Sequence, residues 1–272
     1  MKTQVIGALA LAGSMVFNTA VANETVSVVG SSSVSPIMEV LGETYANSHD
    51  VVVEVQGPGS SAGIRAAHDG SSDLGMSSRD LKSSEKADNI KEVVIARDGI
   101  AVVVHNNNPV SNLTKEQVSQ IYKGEVTNWN QVGGENKPIV VATRDTASGT
   151  RGAFEDIMSL KKKINGVKVS AISQRAQVAS GNGQLKTIVA NNPFAIGYIS
   201  LGSVDNSVKP LAIDNHKPSI EAIKAGEYSV QRPFLVVYKE GRPSKAALEF
   251  LKWIHTPQAQ NIVTEKGFIS VK

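Results

Sequence analysis

The chain has 272 residues, and its 28 lysine and arginine residues nearly balance its 25 aspartate and glutamate residues, for a formal net charge of +3. This charge, with KKK at 161–163 as the main basic run, argues against nucleic acid as a partner, and we expect that run to be the solvated end of a helix. No cysteine is present, which excludes a disulfide scaffold and an N-terminal lipid-anchored cysteine.

The first 22 residues are predicted to be a secretory signal peptide. Lys2 supplies the positive end, residues 5–17 form a mostly apolar core, and residues 20–22 read Ala-Val-Ala, which is a cleavage motif. The apolar run is too short to span a bilayer. We therefore predict cleavage after Ala22 and export to the periplasm of a double-membraned bacterium, with outright secretion as the alternative.

A serine-rich turn follows the first predicted strand. Residues 25–29 form an apolar strand that runs into GSSSVSP at 30–36. Ser35 and Pro36 are the expected N-cap and first residue of the helix that follows.

The next two strands also end in serine-rich segments. Residues 51–56 form a strand that leads through GPGSSAG at 57–63 into a helix, which we expect to begin at Ile64. Residues 73–79 form a short strand whose last residues include Ser78. Four such strand ends in one chain, counting the one after residue 142, are more than helix capping alone requires.

The middle of the chain is predicted to alternate strands and helices. Residues 92–96 and 100–105 form two paired strands, and the segment TKEQ at 114–117 is a capping box that begins a helix. Gly124 ends that helix, and an apolar strand follows at 139–142.

The stretch RDTASGTRGAF at 144–154 is the strongest functional signal. It joins the strand at 139–142 to a helical pattern, so it places the N-terminus of a helix beside polar side chains. Ser148 and Thr150 can cap this helix and donate hydroxyl hydrogen bonds, and Arg144 adds a planar fork of cationic donors. The stretch therefore predicts an anion site.

The rest of the chain keeps the α/β pattern. The predicted elements are a helix opened by SGNG at 180–183, a strand at 195–199, a short helix at 219–225, a strand at 233–238, a helix at 245–254 capped by Ser244, and a last helix that starts at Thr256 and Pro257.

A serine hydrolase is the main alternative from another functional class. GSSAG at 59–63 matches the G-x-S-x-G nucleophile motif between a strand and a helix, and would use Ser61 with His216 or His255. Only two strands precede this motif, however, and neither histidine lies in a typical catalytic loop. We therefore favour a binding protein without catalytic residues.

Metal and nucleotide chemistry have no support in the sequence. The five histidines are scattered without H-x-x-x-H spacing, and no Walker-type phosphate loop occurs. We predict no metal and no cofactor.

Taken together, the motifs resemble those of the phosphate-binding proteins of phosphate ABC transporters, which are type II periplasmic binding proteins. The resemblance covers nearly the whole mature chain. It rests on GSSSVSP at 30–36, GPGSSAG at 57–63, GMSSR at 75–79, SGTR at 148–151, and the stretch from Gln117 through TNW to VGG at 132–134.

The resemblance implies a two-lobed α/β fold with a ligand cleft between lobes that two crossover segments join. One lobe would comprise residues 23–103 with 233–272, and the other residues 104–232. It also implies a monomer that captures inorganic phosphate and delivers it to a membrane permease. Another tetrahedral oxyanion, such as sulfate or molybdate, is the alternative ligand.

The resemblance further implies a set of phosphate-binding residues. Arg79 could add a second cation, although an ion pair with Asp80 or Glu85 is the favoured role for it. The implied binding residues are Ser32, Ser33, Ser60, Ser78, Arg144, Asp145, Ser148, Gly149 and Thr150.

The sequence departs from the family pattern at Ser78, where better-known members have an aspartate. That carboxylate accepts the proton of hydrogen phosphate, which sulfate lacks, and so rejects sulfate. Asp145 is a candidate replacement for this acceptor, and its alternative role is to orient Arg144.

Overall fold

The computed structural model describes residues 24–271, so the predicted signal peptide lies outside the described residues. Within the described part of the chain, no helix combines the length and apolar character needed to cross a membrane. The strands are β1 (Glu24–Gly30), β2 (Val51–Gln56), β3 (Leu74–Ser77), β4 (Ile90–Val104), β5 (Asn112–Leu113), β6 (Val140–Arg144), β7 (Lys161–Ile164), β8 (Val167–Ser170), β9 (Gln177–Ala179), β10 (Ala195–Ser200), β11 (Lys209–Pro210), β12 (Ala212–Ile213) and β13 (Gln231–Lys239). The helices are α1 (Ser35–Ala46), α2 (Ser60–Asp69), α3 (Lys115–Lys123), α4 (Gly149–Ile157), α5 (Asn182–Ala190), α6 (Ile220–Lys224), α7 (Lys245–Ile254) and α8 (Pro257–Glu265).

One mixed sheet runs through the molecule in the order β2-β1-β3-β13-β4-β10-β6-β9. Strand β1 is parallel to β2 and β3, and β6 is parallel to β9 and β10. The two central strands, β13 and β4, run antiparallel to their neighbours. We call the part built on β2-β1-β3-β13 the first lobe and the part built on β10-β6-β9 the second lobe, with β4 contributing to both.

Strand β4 differs from the prediction. The segments 92–96 and 100–105 were expected to be two strands paired with each other, which is wrong, because both belong to the continuous 15-residue strand β4. This strand pairs with β13 as far as Gly99, and from Ile100 onward it pairs with β10. Its polar centre resembles a turn in sequence but is accommodated in a strand, because Arg232 neutralises Asp98 from β13.

Each lobe has its own apolar core. In the first lobe, residues such as Val28, Ile37 and Phe250 pack between the sheet and helices α1, α7 and α8. In the second lobe, the largest cluster includes Tyr122 and Phe154. The proposed lobe boundaries at 103/104 and 232/233 stay a prediction.

The basic run at 161–163 was also predicted wrongly. It lies in β7, which pairs with β8 in a hairpin, and is not the end of a helix. The turn of the hairpin has Asn165 and Gly166 at positive φ, which is the conformation that two-residue hairpin turns need. This Asn-Gly signal lies in the sequence one residue after the lysines.

Two helix starts differ from the prediction as well. The N-cap of α1 is Val34, and the hydroxyl of Ser35 donates to the carbonyl of Ser31 instead of capping the helix. Helix α2 begins at Ser60, four residues before the predicted start at Ile64. In both places the serine-rich turn is shorter than predicted, because its residues already belong to the helix.

The other caps agree with the sequence. Thr114 and Gln117 form the reciprocal capping box of α3, and Gly124 ends that helix with a φ of 80°. Ser148 caps α4 and Ser244 caps α7 through their side chains.

Candidate anion-binding site

The candidate site lies where the lobes meet, at the carboxyl ends of β1, β3, β6 and β9. In open α/β sheets, ligands bind outside the carboxyl ends of the strands, where the connections diverge. Helices α1, α2, α4 and α5 begin at the same place. Helix N-termini carry unpaired N–H groups and a partial positive charge, so their convergence suits an anion.

Arg144 is the central cation of the site. It is the last residue of β6 and is 1% exposed. Its Nη1 donates to Asn182 Oδ1 at 3.1 Å, and its Nη2 donates to Ser32 Oγ and to the carbonyl of Ser180, both at 3.0 Å.

The third nitrogen of this guanidinium is unsatisfied. Arg144 Nε is buried and has no hydrogen-bond partner among residues 24–271. Burial lowers the pKa of Arg144, while the charge of Asp145 opposes that shift. Because arginine stays protonated in proteins, the result is a buried cation with a free donor, which fits an anionic ligand.

Hydroxyl groups from both lobes meet beside Arg144. Ser33 Oγ lies 2.8 Å from Thr150 Oγ1, and Asn182 Nδ2 donates to Ser33 Oγ at 3.0 Å. The contact joins the turn after β1 to the first turn of α4. It therefore links the two lobes directly.

A second hydroxyl cluster lies at the end of β3. Ser31 Oγ donates to Ser78 Oγ at 2.8 Å, and the backbone N–H of Ser78 donates to Ser60 Oγ at 3.0 Å. Gly149 approaches this cluster so closely that a Cβ there would lie 2.1 Å from Ser60 Oγ. Only glycine permits this contact between the lobes.

The structure places most predicted site residues in this network, namely Ser32, Ser33, Ser60, Ser78, Arg144, Gly149 and Thr150. Ser148 lies at its edge, and its hydroxyl accepts from the N–H of Arg151 as the cap of α4. Asp145 is placed differently, because its Oδ1 accepts from the N–H of Ala147 at 2.8 Å and closes its own loop. Within the described residues, the Asp145 carboxylate forms no hydrogen bond to the network.

Two residues of this hydrogen-bonded network, Ser31 and Asn182, were not predicted from the sequence. Ser31 belongs to the first serine-rich turn, and Asn182 belongs to the SGNG segment that opens α5. Both segments were recognised as strand-to-helix turns. The position of each side chain within its turn carried no signal of its own.

Arg79 takes the favoured role. Its two terminal nitrogens donate to the two carboxylate oxygens of Glu85 at 2.7 and 2.8 Å. Burial opposes ionisation of Glu85, but hydrogen bonds from Arg79 and from the N–H of Lys82 hold its pKa below the ordinary value. The side chain of Arg79 also packs across the cleft, since a Cβ at Gly152 would lie 2.7 Å from its Cδ.

The arrangement around Ser61 lacks the contacts of a hydrolase. Ser61 Oγ accepts from Arg79 Nη2 at 3.4 Å, and the ring nitrogens of His255 lie 3.0 Å from the carbonyl of Leu251 in α7 and 3.1 Å from that of Val94 in β4. No histidine within residues 24–271 is hydrogen-bonded to Ser61, although a nucleophile needs such a base. Over the same residues, no group of three or more His, Cys, Asp or Glu side chains could hold a metal ion.

Comparison with known proteins agrees with this architecture. A family model described as the PBP superfamily domain matches residues 18–258. A solved structure from Clostridium perfringens, described as a phosphate ABC transporter substrate-binding protein with bound phosphate, has a TM-score of 0.86 and 42% identity, covering 92% of this chain and 100% of that chain. An ABC-type phosphate transport receptor from Vibrio cholerae has a TM-score of 0.78 and 40% identity, covering 90% of this chain and 100% of that chain.

Among curated proteins, the phosphate-binding protein PstS of Borreliella burgdorferi is 29% identical over 279 residues, which span 100% of both chains. The family model covers far more than half of the chain. This protein therefore belongs to the PBP superfamily and has the two-lobed fold of a periplasmic binding protein.

Proposed function

We propose that this protein is the substrate-binding protein of a phosphate ABC transporter, which captures inorganic phosphate and delivers it to a membrane permease. The buried Arg144 guanidinium, with its unsatisfied Nε among hydroxyls and helix N-termini, carries the proposal. The solved relatives at 42% and 40% identity, both described as phosphate transport proteins, support it. The chemistry is binding alone, without a catalytic residue.

The lobe contacts indicate how capture works. Ser33 with Thr150, Arg144 with Ser32, and the N–H of Ser61 with the carbonyl of Ala147 all join one lobe to the other. We propose that these contacts form when the cleft closes over the anion and exclude water from it. Opening the cleft breaks them, which releases phosphate to the permease.

The proposed hydrogen-bond donors to the anion are the side chains or N–H groups of Ser32, Ser33, Ser60, Ser78, Arg144, Gly149 and Thr150. Ser148 positions the N-terminus of α4 beneath the anion. Dipoles and hydrogen bonds thus supply most of the contacts, and Arg144 supplies the direct positive charge.

Sulfate is the competing ligand, because Ser78 stands in place of an acceptor carboxylate. The hydroxyl of Ser31 donates to Ser78 Oγ, so Ser78 directs its own proton towards Ser60 or the ligand. Ser78 is therefore a donor in this arrangement. We propose that Asp145 accepts the phosphate proton through the carboxylate oxygen that does not bind Ala147.

The proposed setting follows from the same function. Cleavage after Ala22 would release a mature protein into the periplasm, where it would act as a monomer between the outer environment and the permease. Size-exclusion chromatography with light scattering would measure the oligomeric state.

A thermal melt of the mature protein tests the function. The protein is first stripped of ligand by unfolding and refolding, and then melted with phosphate, sulfate or molybdate. A millimolar ligand with a micromolar Kd adds about 4 kcal/mol to the free energy of unfolding, which raises the Tm by several degrees.

We expect a clear shift with phosphate and a smaller one with the other two anions. Equal shifts with sulfate would make this a general oxyanion-binding protein. An unchanged Tm with all three anions would contradict the proposal. The serine hydrolase alternative would then be tested by an esterase assay, with S61A as the control.

A further inference from the structure

A buried ion pair lies in the two strands that connect the lobes. Asp98 on β4 and Arg232 on β13 face each other as direct cross-strand partners, and they are 1% and 2% exposed. Arg232 donates to Asp98 Oδ2 from Nη2 at 2.8 Å and from Nε at 3.2 Å. The pair lies immediately before Ile100, where β4 changes its partner from β13 to β10.

Stability alone does not explain this pair. Removing two charges from water costs more than their attraction returns unless every oxygen and proton is satisfied, and well-packed apolar residues are often as stable. Here Asp98 Oδ1 has no hydrogen-bond partner among residues 24–271. Burial raises the pKa of Asp98 and lowers that of Arg232, and each partner's charge opposes the shift of the other.

The third donor of Arg232 reaches the anion site. Its Nη1 donates to the backbone carbonyl of Ser78 at 3.3 Å. The N–H of Ser78 donates to Ser60 Oγ, and its hydroxyl accepts from Ser31. Arg232 therefore holds the backbone of Ser78, which contacts Ser31 and Ser60 in the hydroxyl cluster at the end of β3.

Ser200 of the second lobe lies beside the pair, because it is the cross-strand partner of Ile100 on β4, and its buried Oγ has no hydrogen-bond partner among residues 24–271. The N–H of Ser200 lies 3.5 Å from Asn182 Oδ1, which is the amide oxygen that Arg144 Nη1 also contacts. The Asp98–Arg232 pair thus contacts Ser78 of the first lobe directly and lies beside the strand position from which Ser200 contacts Asn182.

The positive charge of Arg232 lies on the Ser78 side of the ion pair. Arg232 joins Asp98 to the backbone carbonyl of Ser78 through its hydrogen bonds, and its positive charge acts in the same direction as burial, which lowers the pKa of Arg144. Arg144 and Arg232 are thus two buried guanidinium groups of the same region, and the carboxylate that pairs with Arg232, that of Asp98, belongs to β4. An anion in the cleft relieves the repulsion between the two cations.

We propose that Arg232 is a positioning residue and the second cation of the anion site, fixing Ser78 by its hydrogen bond and adding positive charge behind it, while Asp98 holds it in place. The inference rests on the proposed function, because it assigns Arg232 a part in holding the same anion. It predicts that the ion pair serves ligand binding more than folding.

The test separates the charge of Arg232 from its role in stability. R232Q alone leaves Asp98 buried and unpaired, whereas the double variant D98N/R232Q removes both charges together. Isothermal titration calorimetry measures the Kd for phosphate, and thermal melts without ligand measure stability. We expect the double variant to melt close to wild type but to bind phosphate about tenfold or more weakly, because the hydrogen bond that fixes Ser78 is lost and, of the two charges removed, the cation is the one that contacts Ser78.

R97Q is the matched control. Arg97 precedes Asp98 on β4, but its side chain is exposed, so removing its charge is screened by solvent. We expect the Kd of R97Q to equal that of wild type. If D98N/R232Q also binds phosphate like wild type, the pair is only structural and the inference is overturned.

The pH profile provides a readout that a structural role would not change. Wild-type affinity should rise as pH converts phosphate from the monoanion to the dianion, and the rise should be smaller in D98N/R232Q because the removed cation contacts Ser78 of the site whereas the removed carboxylate lies behind it. An identical profile in both proteins would overturn the inference.

R232K keeps the inference testable if the double variant does not fold. Lysine retains the charge but cannot donate to Asp98 and Ser78 in a fixed fork, so its phosphate affinity should lie between those of wild type and the charge-free variant. An affinity for R232K equal to that of wild type would overturn the positioning role. A wild-type protein that does not bind phosphate would instead contradict the proposed function.

Discussion

The Arg144 side chain is held in place by three hydrogen bonds but keeps one donor nitrogen free for the proposed ligand. Its two terminal nitrogens are already held by Asn182, Ser32 and Ser180, which fixes the plane of the guanidinium. The remaining Nε is buried without a partner in the described part of the chain. A preorganised cation of this kind loses little conformational entropy on binding, which favours affinity.

R144A should weaken phosphate binding by roughly 2–4 kcal/mol, because the buried anion loses its charged partner. Titration calorimetry measures the change. R175A is the matched control, since Arg175 lies exposed in the same lobe and should leave the Kd unaltered. Wild-type affinity in R144A would remove Arg144 from the site.

Asp145 provides a second prediction at the residue scale. D145N keeps an oxygen to accept from the N–H of Ala147 but removes the negative charge that would accept the phosphate proton. We expect the variant to gain sulfate affinity relative to phosphate, as measured by competition titrations. An unchanged ratio of the two affinities would exclude Asp145 as the discriminating acceptor.

At the scale of elements, the site depends on how closely α4 approaches the first lobe. Gly149, the first residue of α4, lies against Ser60 and Ser78, and Gly59 lies against the backbone of Ala147. These glycines let main chain from the two lobes come together, so that helix N–H groups lie near the proposed anion site.

G149A should therefore hinder closure without harming the isolated helix. A Cβ at this position would lie 2.1 Å from Ser60 Oγ and 2.6 Å from Ser78 Oγ. We expect the phosphate Kd to rise by about tenfold or more, while helix propensity changes stability by only about 1 kcal/mol. Gly183 in α5 has open space around its Cβ position, so G183A is the control and should bind normally. Normal binding by G149A would show that the close contact is not required.

At the scale of the whole molecule, function depends on two lobes joined by β4 and β13. Small-angle scattering should show that phosphate reduces the radius of gyration of the wild-type protein, because the inter-lobe hydrogen bonds close the cleft. The G149A variant should show a smaller reduction at saturating phosphate. If the radius of gyration of the wild-type protein does not change with phosphate, closure is not the capture step.

Features that depend on residues close in sequence could be predicted for this chain, whereas those that depend on distant residues could not. The capping box at Thr114 and the caps at Ser148 and Ser244 were predicted correctly, because a cap involves residues three positions apart. The strand β4 was misread at Asp98 and Gly99, because the residue that makes a strand acceptable there is Arg232, 134 positions away.

The sequence by itself determined the alternation of strands and helices, the serine-rich strand ends and the choice of Arg144 as the cation, since these depend on local pattern and on motifs that resemble a family. Only the tertiary structure decided which of these groups meet. The contacts between Ser33 and Thr150, 117 residues apart, and between Ser32 and Arg144, 112 apart, exist because β4 and β13 bring the lobes together. Likewise, the roles of Ser31, Asn182 and Arg232 emerged only there, because a buried polar group is defined by its neighbours in space and not by those in sequence.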